Sequence, residues 1–286
     1  MENKCFLCHQ HSSKSVYQEK GYNSLVCPEC GLLFCNPLPD IETINWEMDS
    51  HSDPFYKLSS YYKARWLNKK IGKNMILLEV GSGNGHQLHA FAQFGYEVFG
   101  LEPNYLRLGY MKNIYKIMGY QGFIETFDFN SKKFDVIFHV DLLAHFPDPF
   151  LSIEQMKKAL KQNGYISFEV GVVGGISSYW YRLFPLGLPQ HRWLYSEKSL
   201  AKLLQKAQLQ VIHKTTHSLV PYLLIGKVVN FALLSVMMRL VSPLIGKHAS
   251  IFFKINSAIS NFLRYKLGRY FPKVGPLTIL YITKPI

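Results

Sequence analysis

The chain has no acidic residue after Glu197. Residues 198 to 286 carry 13 Lys and Arg and no Asp or Glu, so the whole formal charge of +13 lies there. The first 197 residues balance 19 basic against 19 acidic side chains. An asymmetry of this kind points to a polyanionic surface, either nucleic acid or an anionic membrane. Long apolar runs are also missing. The longest, VVNFALLSVMM between Lys227 and Arg239, has 11 residues, well short of the ~20 that span a bilayer. The N-terminus, MENKCFLCHQ, is polar and holds no apolar signal core, so the expectation is a cytoplasmic protein. There are five cysteines, four of them in two CxxC pairs. That usage suggests a metal site in a reducing compartment and excludes a secreted disulfide framework. Internal repeats and low-complexity tracts are absent. A hydrophobic content of 48% with 18% charged residues excludes a disordered chain.

What is present suggests an α/β core flanked by smaller pieces. Residues 1–36 form a Cys-paired module, and 37–72 read as a linker followed by a helix. From Met75, apolar strands (MILLEV, YEVFGLE, FDVIFHV, GYISFEV) alternate with helical stretches (HQLHAFAQFG, NYLRLGYMKNIYKIMG, PFLSIEQMKKALKQNG). That rhythm predicts a parallel sheet with helices on both faces. A helix opening on Ser196 and a strand, LQVIHKTTH, carry the core to 218. Residues 219–270 are apolar and basic, and 271–286 contain a last strand, LTILYITK.

The stretch LLEVGSGNG places Gly81, Gly83 and Gly85 behind the first core strand. A strand, then glycines, then a helix is the layout of a nucleotide-type site at the carboxyl end of a parallel strand. A plain tight turn is the alternative for a glycine triplet alone. Glu102, ending the next strand 17 residues after Gly85, stands where a carboxylate can accept both hydroxyls of a ribose.

Together, EVGSGNG, LEPN, FDVIFHVDLLAHFPDP and LKQNGYISFEV resemble the motifs of the class I S-adenosylmethionine (SAM)-dependent methyltransferases, over roughly residues 62–216. The resemblance implies a Rossmann-like seven-stranded sheet with the last strand antiparallel, and 219–270 as a helical insertion before that strand. It implies that Glu79, Gly81, Gly83 and Gly85 surround the methionine part of SAM and that Glu102 holds the ribose. It further implies that Phe123 and Ile124 lie near the adenine, and the His139–Val140 backbone near the amino group. Ala144, before His145, departs from the acid many relatives carry there. A sulfonium needs no phosphate cradle, and no Walker lysine follows the glycines.

Cys5-x2-Cys8 and Cys27-x2-Cys30 are separated by 18 residues, a spacing that suits a four-thiolate zinc ribbon. Four thiolates close the coordination sphere, so the zinc is expected to be structural. A redox pair or simply buried cysteines is the alternative, with Cys35 spare. A zinc ribbon ahead of this core resembles bacterial enzymes of sugar and cell-envelope gene clusters, and a zinc-bearing group that methylates ribosomal RNA is the runner-up.

Methyl transfer requires positioning of the acceptor and, for many acceptors, a base. The candidates are His191 and His145, with His191 ranked first and Arg192 and Tyr195 as acceptor contacts. A packing role on a loop is the alternative for each histidine. No NPPY-like tetrapeptide follows FDVIFHV, which disfavours methylation of an adenine amino group. No cysteine lies near the fourth or fifth strand, which disfavours the covalent route to 5-methylcytosine. The expected acceptor is a small molecule or glycan, lipid-linked in one version. The alternatives are RNA and a non-catalytic SAM-fold binding protein. In 219–270, Lys227, Asn230, Ser235, Arg239 and Ser242, then Ser250, Lys254, Ser257, Asn261 and Arg264, fall on one helical side, with Ile251, Ile255, Ala258 and Phe262 opposite. Such helices suit the inner face of an anionic membrane. A lid, a homodimer face and an RNA surface are the other readings.

Overall fold

A computed structural model describes residues 3–39, 54–173, 186–219, 254–271 and 277–286. The central sheet has seven strands: β4 (Ile76–Val80), β5 (Glu97–Glu102), β6 (Met118–Gln121), β7 (Phe134–Val140), β8 (Leu160–Val172), β10 (Leu209–Ser218) and β11 (Leu277–Pro285). Their spatial order is β10-β11-β8-β7-β4-β5-β6. β4 lies parallel to β5 and β7, and β11 runs antiparallel to both β8 and β10. The chain reverses beside β4, leaving a crevice at the carboxyl ends of β4 and β7, where open α/β sheets bind ligands.

Residue alternation sends the two sides of each strand into different cores. Leu78, Ile137, Phe168 and Tyr281 pack on one face with α4 (Pro149–Ala159) and α5 (Glu197–Lys206). Leu77, Val136, Leu280 and Ile282 face the other way, against α1 (Pro54–Ile71) and α2 (His86–Gln93). The helix starts are capped. Asp148 accepts from the Phe150 and Leu151 amides ahead of α4, and Ser196 forms a capping box with Ser199 ahead of α5, interactions worth about 1 kcal/mol each.

The pattern NYLRLGYMKNIYKIMG predicts a helix from Asn104 to Gly119. The helix is shorter: α3 (Tyr105–Tyr110) continues as a π turn, Met111–Tyr115, and Met118–Gln121 becomes edge strand β6. Gly100 and Gly119 sit under Met111, whose Cε lies 2.9 and 2.4 Å from where their Cβ atoms would be. That close approach lets β6 pair with β5 beneath the helix, a tertiary effect that overrides helical propensity.

The N-terminal module contributes β1 (Ser15–Glu19), β2 (Tyr22–Val26) and β3 (Leu33–Asn36), and β3 pairs with β9 (Trp193–Leu194) from the core. Its Leu7, Leu25 and Leu32 belong to the same apolar cluster as Ile153, Leu200 and Tyr281. The ribbon is therefore built onto the core.

Candidate active site

Each of the three glycines after β4 has a positive φ: 67° at Gly81, 52° at Gly83 and 81° at Gly85. A Cβ on Gly85 would stand 2.5 Å from Met111 Cγ, and one on Gly81 3.2 Å from the Leu142 methyls. Those two positions are constrained by the protein itself. Gly83 has no heavy atom within 4 Å of its Cβ position, so it faces open space. The Gly83 amide donates to Glu102 Oε2 at 2.9 Å, and the Asn104 amide to Oε1 at 3.1 Å, which fixes Glu102 at the mouth of the loop.

Glu79 lies beneath. It is 3% exposed, and burial raises its carboxyl well above the usual range, against the nearby charge of Lys63 and together with that of Glu102. Among the described residues, Glu79 Oε2, Ser82 Oγ and Asn84 Oδ1 are buried with no hydrogen-bond partner. Unsatisfied buried oxygens are costly. Three around one glycine loop, beside two carboxylates, suit a cationic, donor-rich ligand. Of the other residues expected here, Ile124 is buried and Phe123 is half exposed. The His139 ring stacks on Phe168 at 5.2 Å, and burial lowers its pKa to about 3.

The two candidate bases meet across the crevice. His145 follows a short 3-10 turn (Leu142–Ala144) after β7, and His191 precedes β9. Their ring centroids are 4.9 Å apart. Each ring turns Nδ1 to a carbonyl, His145 to Gln190 and His191 to Leu186. A carbonyl only accepts, so Nδ1 carries the proton and Nε2 is the basic nitrogen of the neutral ring. Burial, then the charge of His191, pushes His145 down to about 4, a weak proton acceptor near neutral pH. Asp141, held at φ 53° after β7, lies close enough to His191 to feel its charge.

Arg192 and Tyr195 are placed differently from the expectation of acceptor contacts. Tyr195 is fully buried with its hydroxyl on the Leu143 carbonyl at 3.3 Å. Arg192 is 7% exposed and donates from Nη1 to the Pro39 carbonyl at 2.7 Å. Both sit in the seam between ribbon and core.

Glu19 is a residue that sequence reasoning missed. Its Oε2 accepts from the Leu186, Gly187 and Leu188 amides at 3.0, 3.0 and 3.2 Å, and the His191 amide donates to the Gly187 carbonyl at 2.9 Å. A ribbon carboxylate thus pins the loop that carries His191. An isolated acid on a short polar strand gives no sequence signal of this.

A charged group also lies buried at the carboxyl end of β8. Glu169, 1% exposed, accepts from Arg264 Nη2 at 2.7 Å and from the Tyr265 hydroxyl at 3.3 Å, with Lys63 Nζ 3.7 Å away. Burial works against its charge, but Lys63 and Arg264 outweigh it and hold the carboxyl below the usual range. The expected outward basic face of 254–264 is inverted here. Ser257 and Asn261 are buried and Arg264 reaches Glu169, while Ile255 and Phe262 are 44% and 55% exposed. The need of a buried carboxylate for cations, which the sequence does not display, turns the helix round. The rest of the predicted helical insertion, 220–253, lies outside the described residues.

The ligating atoms of Cys5, Cys8, Cys27 and Cys30 all lie within 4.8 Å of one another. Cys5 Sγ and Cys30 Sγ are 3.7 Å apart. That is too long for a disulfide and close to the ~3.8 Å edge of a tetrahedron with Zn–S bonds of about 2.3 Å. His9 and Gly31, each just after the second cysteine of a pair, have φ of 59° and 70°, so both knuckles turn alike. The donor set fits zinc. Among the described residues, no helix is long and apolar enough to cross a membrane.

Comparison with known proteins agrees with this geometry. A methyltransferase domain family matches residues 51–214. The ubiquinone biosynthesis O-methyltransferase of Aliivibrio fischeri is 26% identical over 183 residues, 58% of this chain and 77% of that protein. The tRNA U34 carboxymethyltransferase of Nautilia profundicola is 26% identical over 113 residues, 36% of each chain. Among solved structures, coclaurine N-methyltransferase bound to N-methylheliamine and SAH shares the fold at a TM-score of 0.51 and 12% identity, over 84% of this chain and 75% of that one. A structure from Bacillus halodurans C-125 shares it at 0.51 and 16%, over 80% and 100%. The chain belongs to the methyltransferase domain family and is a SAM-dependent methyltransferase.

Proposed function

We propose that the protein methylates a small molecule or glycan of the cell envelope, carried on a lipid, and that His191 is the base. Exposed apolar residues beside cations that have no ion-pair partner among the described residues carry the acceptor reading. Ile255, Phe262, Tyr270 and Phe271 are exposed in the same segment as Lys254, Lys266 and Arg269. An apolar surface rimmed by cations and free of acids suits the edge of an anionic membrane better than an RNA backbone. The relative matched over most of its length belongs to ubiquinone biosynthesis, whereas the tRNA enzyme is matched over about a third.

When bound, SAM supplies a methyl group on a sulfonium. Gly83 would let the ligand approach the backbone, Glu102 would accept from the ribose, and the unpaired oxygens of Glu79, Ser82 and Asn84 would meet its donors and positive charge. Ile124 and Phe123 would border the adenine, and the His139–Val140 backbone the amino group. His191 Nε2 would take the acceptor proton, with Asp141 stabilising the imidazolium that results. His145 would line the site as a neutral ring. The ribbon, with zinc on Cys5, Cys8, Cys27 and Cys30, would hold the His191 loop through Glu19.

The test is methyl transfer from radiolabelled SAM into a cell extract separated into lipid, soluble glycan and RNA fractions. Label in the lipid or glycan fraction that is lost with His191→Ala supports the reading. Label in RNA would transfer it to the runner-up. A His191→Ala enzyme with normal turnover removes the base assignment.

A further inference from the structure

A cavity of about 170 Å³ lies between α1, the π turn Phe262–Leu267 with the 3-10 turn Gly268–Tyr270 after it, and the face of the sheet at His217 of β10 and Leu280 of β11. Arg65 and Lys69 reach it from one side, and Lys266 and Arg269 from the other. Tyr62 and Trp66 form its aromatic wall. Among the described residues, no acidic side chain lines it. Among the described residues, none of these four cations has a carboxylate within ion-pair distance.

Other cations nearby are spoken for. Lys63, at the base of the cavity, and Arg264, one turn before Gly268, both go to Glu169. Glu169 offsets one of the two charges of that inner layer, and Arg65, Lys69, Lys266 and Arg269 form an outer layer with no counter-charge among the described residues. Converging like charges repel, and a concave wall of low dielectric concentrates their field. A bound polyanion removes the repulsion. Two arginines supply planar forks for oxyanion geometry, and two lysines add point charges. The cavity admits a phosphate or pyrophosphate group and is too small for a folded partner. Its base, Lys63, touches Glu169 at the carboxyl end of β8, the side of the sheet where the candidate bases stand.

We propose that this cavity binds the phosphate or pyrophosphate ester of a ligand, with Arg65, Lys69, Lys266 and Arg269 as its contacts. The inference stands apart from the methyl-donor site, because none of these residues belongs to the glycine loop. Exposed Phe262 and Phe271 in the same segment leave two sources for the ester, a soluble phosphate compound or a lipid headgroup.

The experiment titrates inorganic pyrophosphate into the full-length protein by calorimetry, at low ionic strength. The wild type is compared with Arg65→Gln/Arg269→Gln and with a control, Lys20→Gln/Lys214→Gln, that removes two cations elsewhere. The expected result is saturable binding that weakens at least about tenfold in the cavity variant and less than twofold in the control. Such a tenfold loss corresponds to about 1.4 kcal/mol. SAM affinity, measured alongside, stays unchanged in both variants and reports that each is folded. Sedimentation with phosphatidylcholine vesicles, with and without phosphatidylglycerol, then assigns the source. Loss of vesicle binding in the cavity variant supports a lipid-borne ester, and undiminished vesicle behaviour supports a soluble one. Absence of saturable pyrophosphate binding, or equal weakening in variant and control, overturns the proposal. RNA binding that competes fully with pyrophosphate and is lost in both variants overturns it as well, since that marks a diffuse phosphate-tracking surface.

Discussion

Acidification from about pH 7.5 to about pH 5.5 should destabilise this protein through two buried histidines, His139 and His217, and the half-buried His145. Burial lowers His139 to about 3, and His145 and His217 to about 4. In the unfolded chain each titrates near 6.5 and takes up a proton over this range, whereas the folded chain takes up none. Stability is therefore full above pH 6.5 and is lost as pH falls, at about 1.4 kcal/mol per histidine across the two units, or about 4 kcal/mol in all. Glu79 works in the opposite direction. Its raised pKa lets the folded state hold a proton that the unfolded carboxyl has released, so it gains stability as pH falls towards 4.5. The raised Asp141 acts in the same sense. A single histidine is best isolated by difference. His217 is 4% exposed, with Glu169 raising its pKa and Arg269, Arg264 and Lys63 lowering it, all less than burial does. His217→Gln should cost stability at pH 7.5 and cost about 1.4 kcal/mol less at pH 5.5, because the variant has no imidazole to protonate on unfolding. Urea unfolding at the two pH values measures this. A stability gap between wild type and variant that is the same at both would show that His217 is not held neutral by burial.

Four further outcomes follow from individual contacts. Gly85→Ala, meeting Met111, should lower stability by about 1–3 kcal/mol, while Gly83→Ala, which meets no side chain but stays at positive φ, should cost only the ~1 kcal/mol of a left-handed alanine and raise the KM for SAM. Glu19→Ala should reduce kcat with little change in the KM for SAM, and Glu19→Asp should restore part of it; equal losses in both constants would mean general unfolding. Glu169→Gln leaves Lys63 and Arg264 without their shared carboxylate and should cost about 3–5 kcal/mol, as breaking buried pairs does, measurable by denaturant melts. Elemental analysis should find one zinc per chain, and its removal by chelator should lower stability and, through the His191 loop, activity; protein purified without zinc and indifferent to chelator would remove the metal.

The core was legible because its signals are local. Strands such as FDVIFHV alternate with capped helices, and the order of β4, β5, β7 and β8 could be read along the chain. β6 was not, since MGYQ has no strand pattern of its own and pairs only because Gly100 and Gly119 admit Met111. The helix at 254–261 was legible as amphipathic, but not the direction of its faces. A helical wheel shows which residues share a side, but not that a buried Glu169 waits for Arg264.

By itself the sequence determined the methyltransferase core and the pairing of the cysteines, because glycines behind an apolar strand, a ribose-type acid and two CxxC knuckles each act within a few residues. It also located every excess positive charge after Glu197. The tertiary structure decided which glycine faces open space, that Arg192 and Tyr195 are buried in a seam, and that Glu19 reaches across to the loop of His191. It also divided the cations of the acid-free tail, with Arg264 spent inside on Glu169 and Lys266 and Arg269 left lining a cavity. Arg264 and Glu169 are 95 positions apart and Glu19 and Leu186 are 167 apart, and only folding brings such residues within reach.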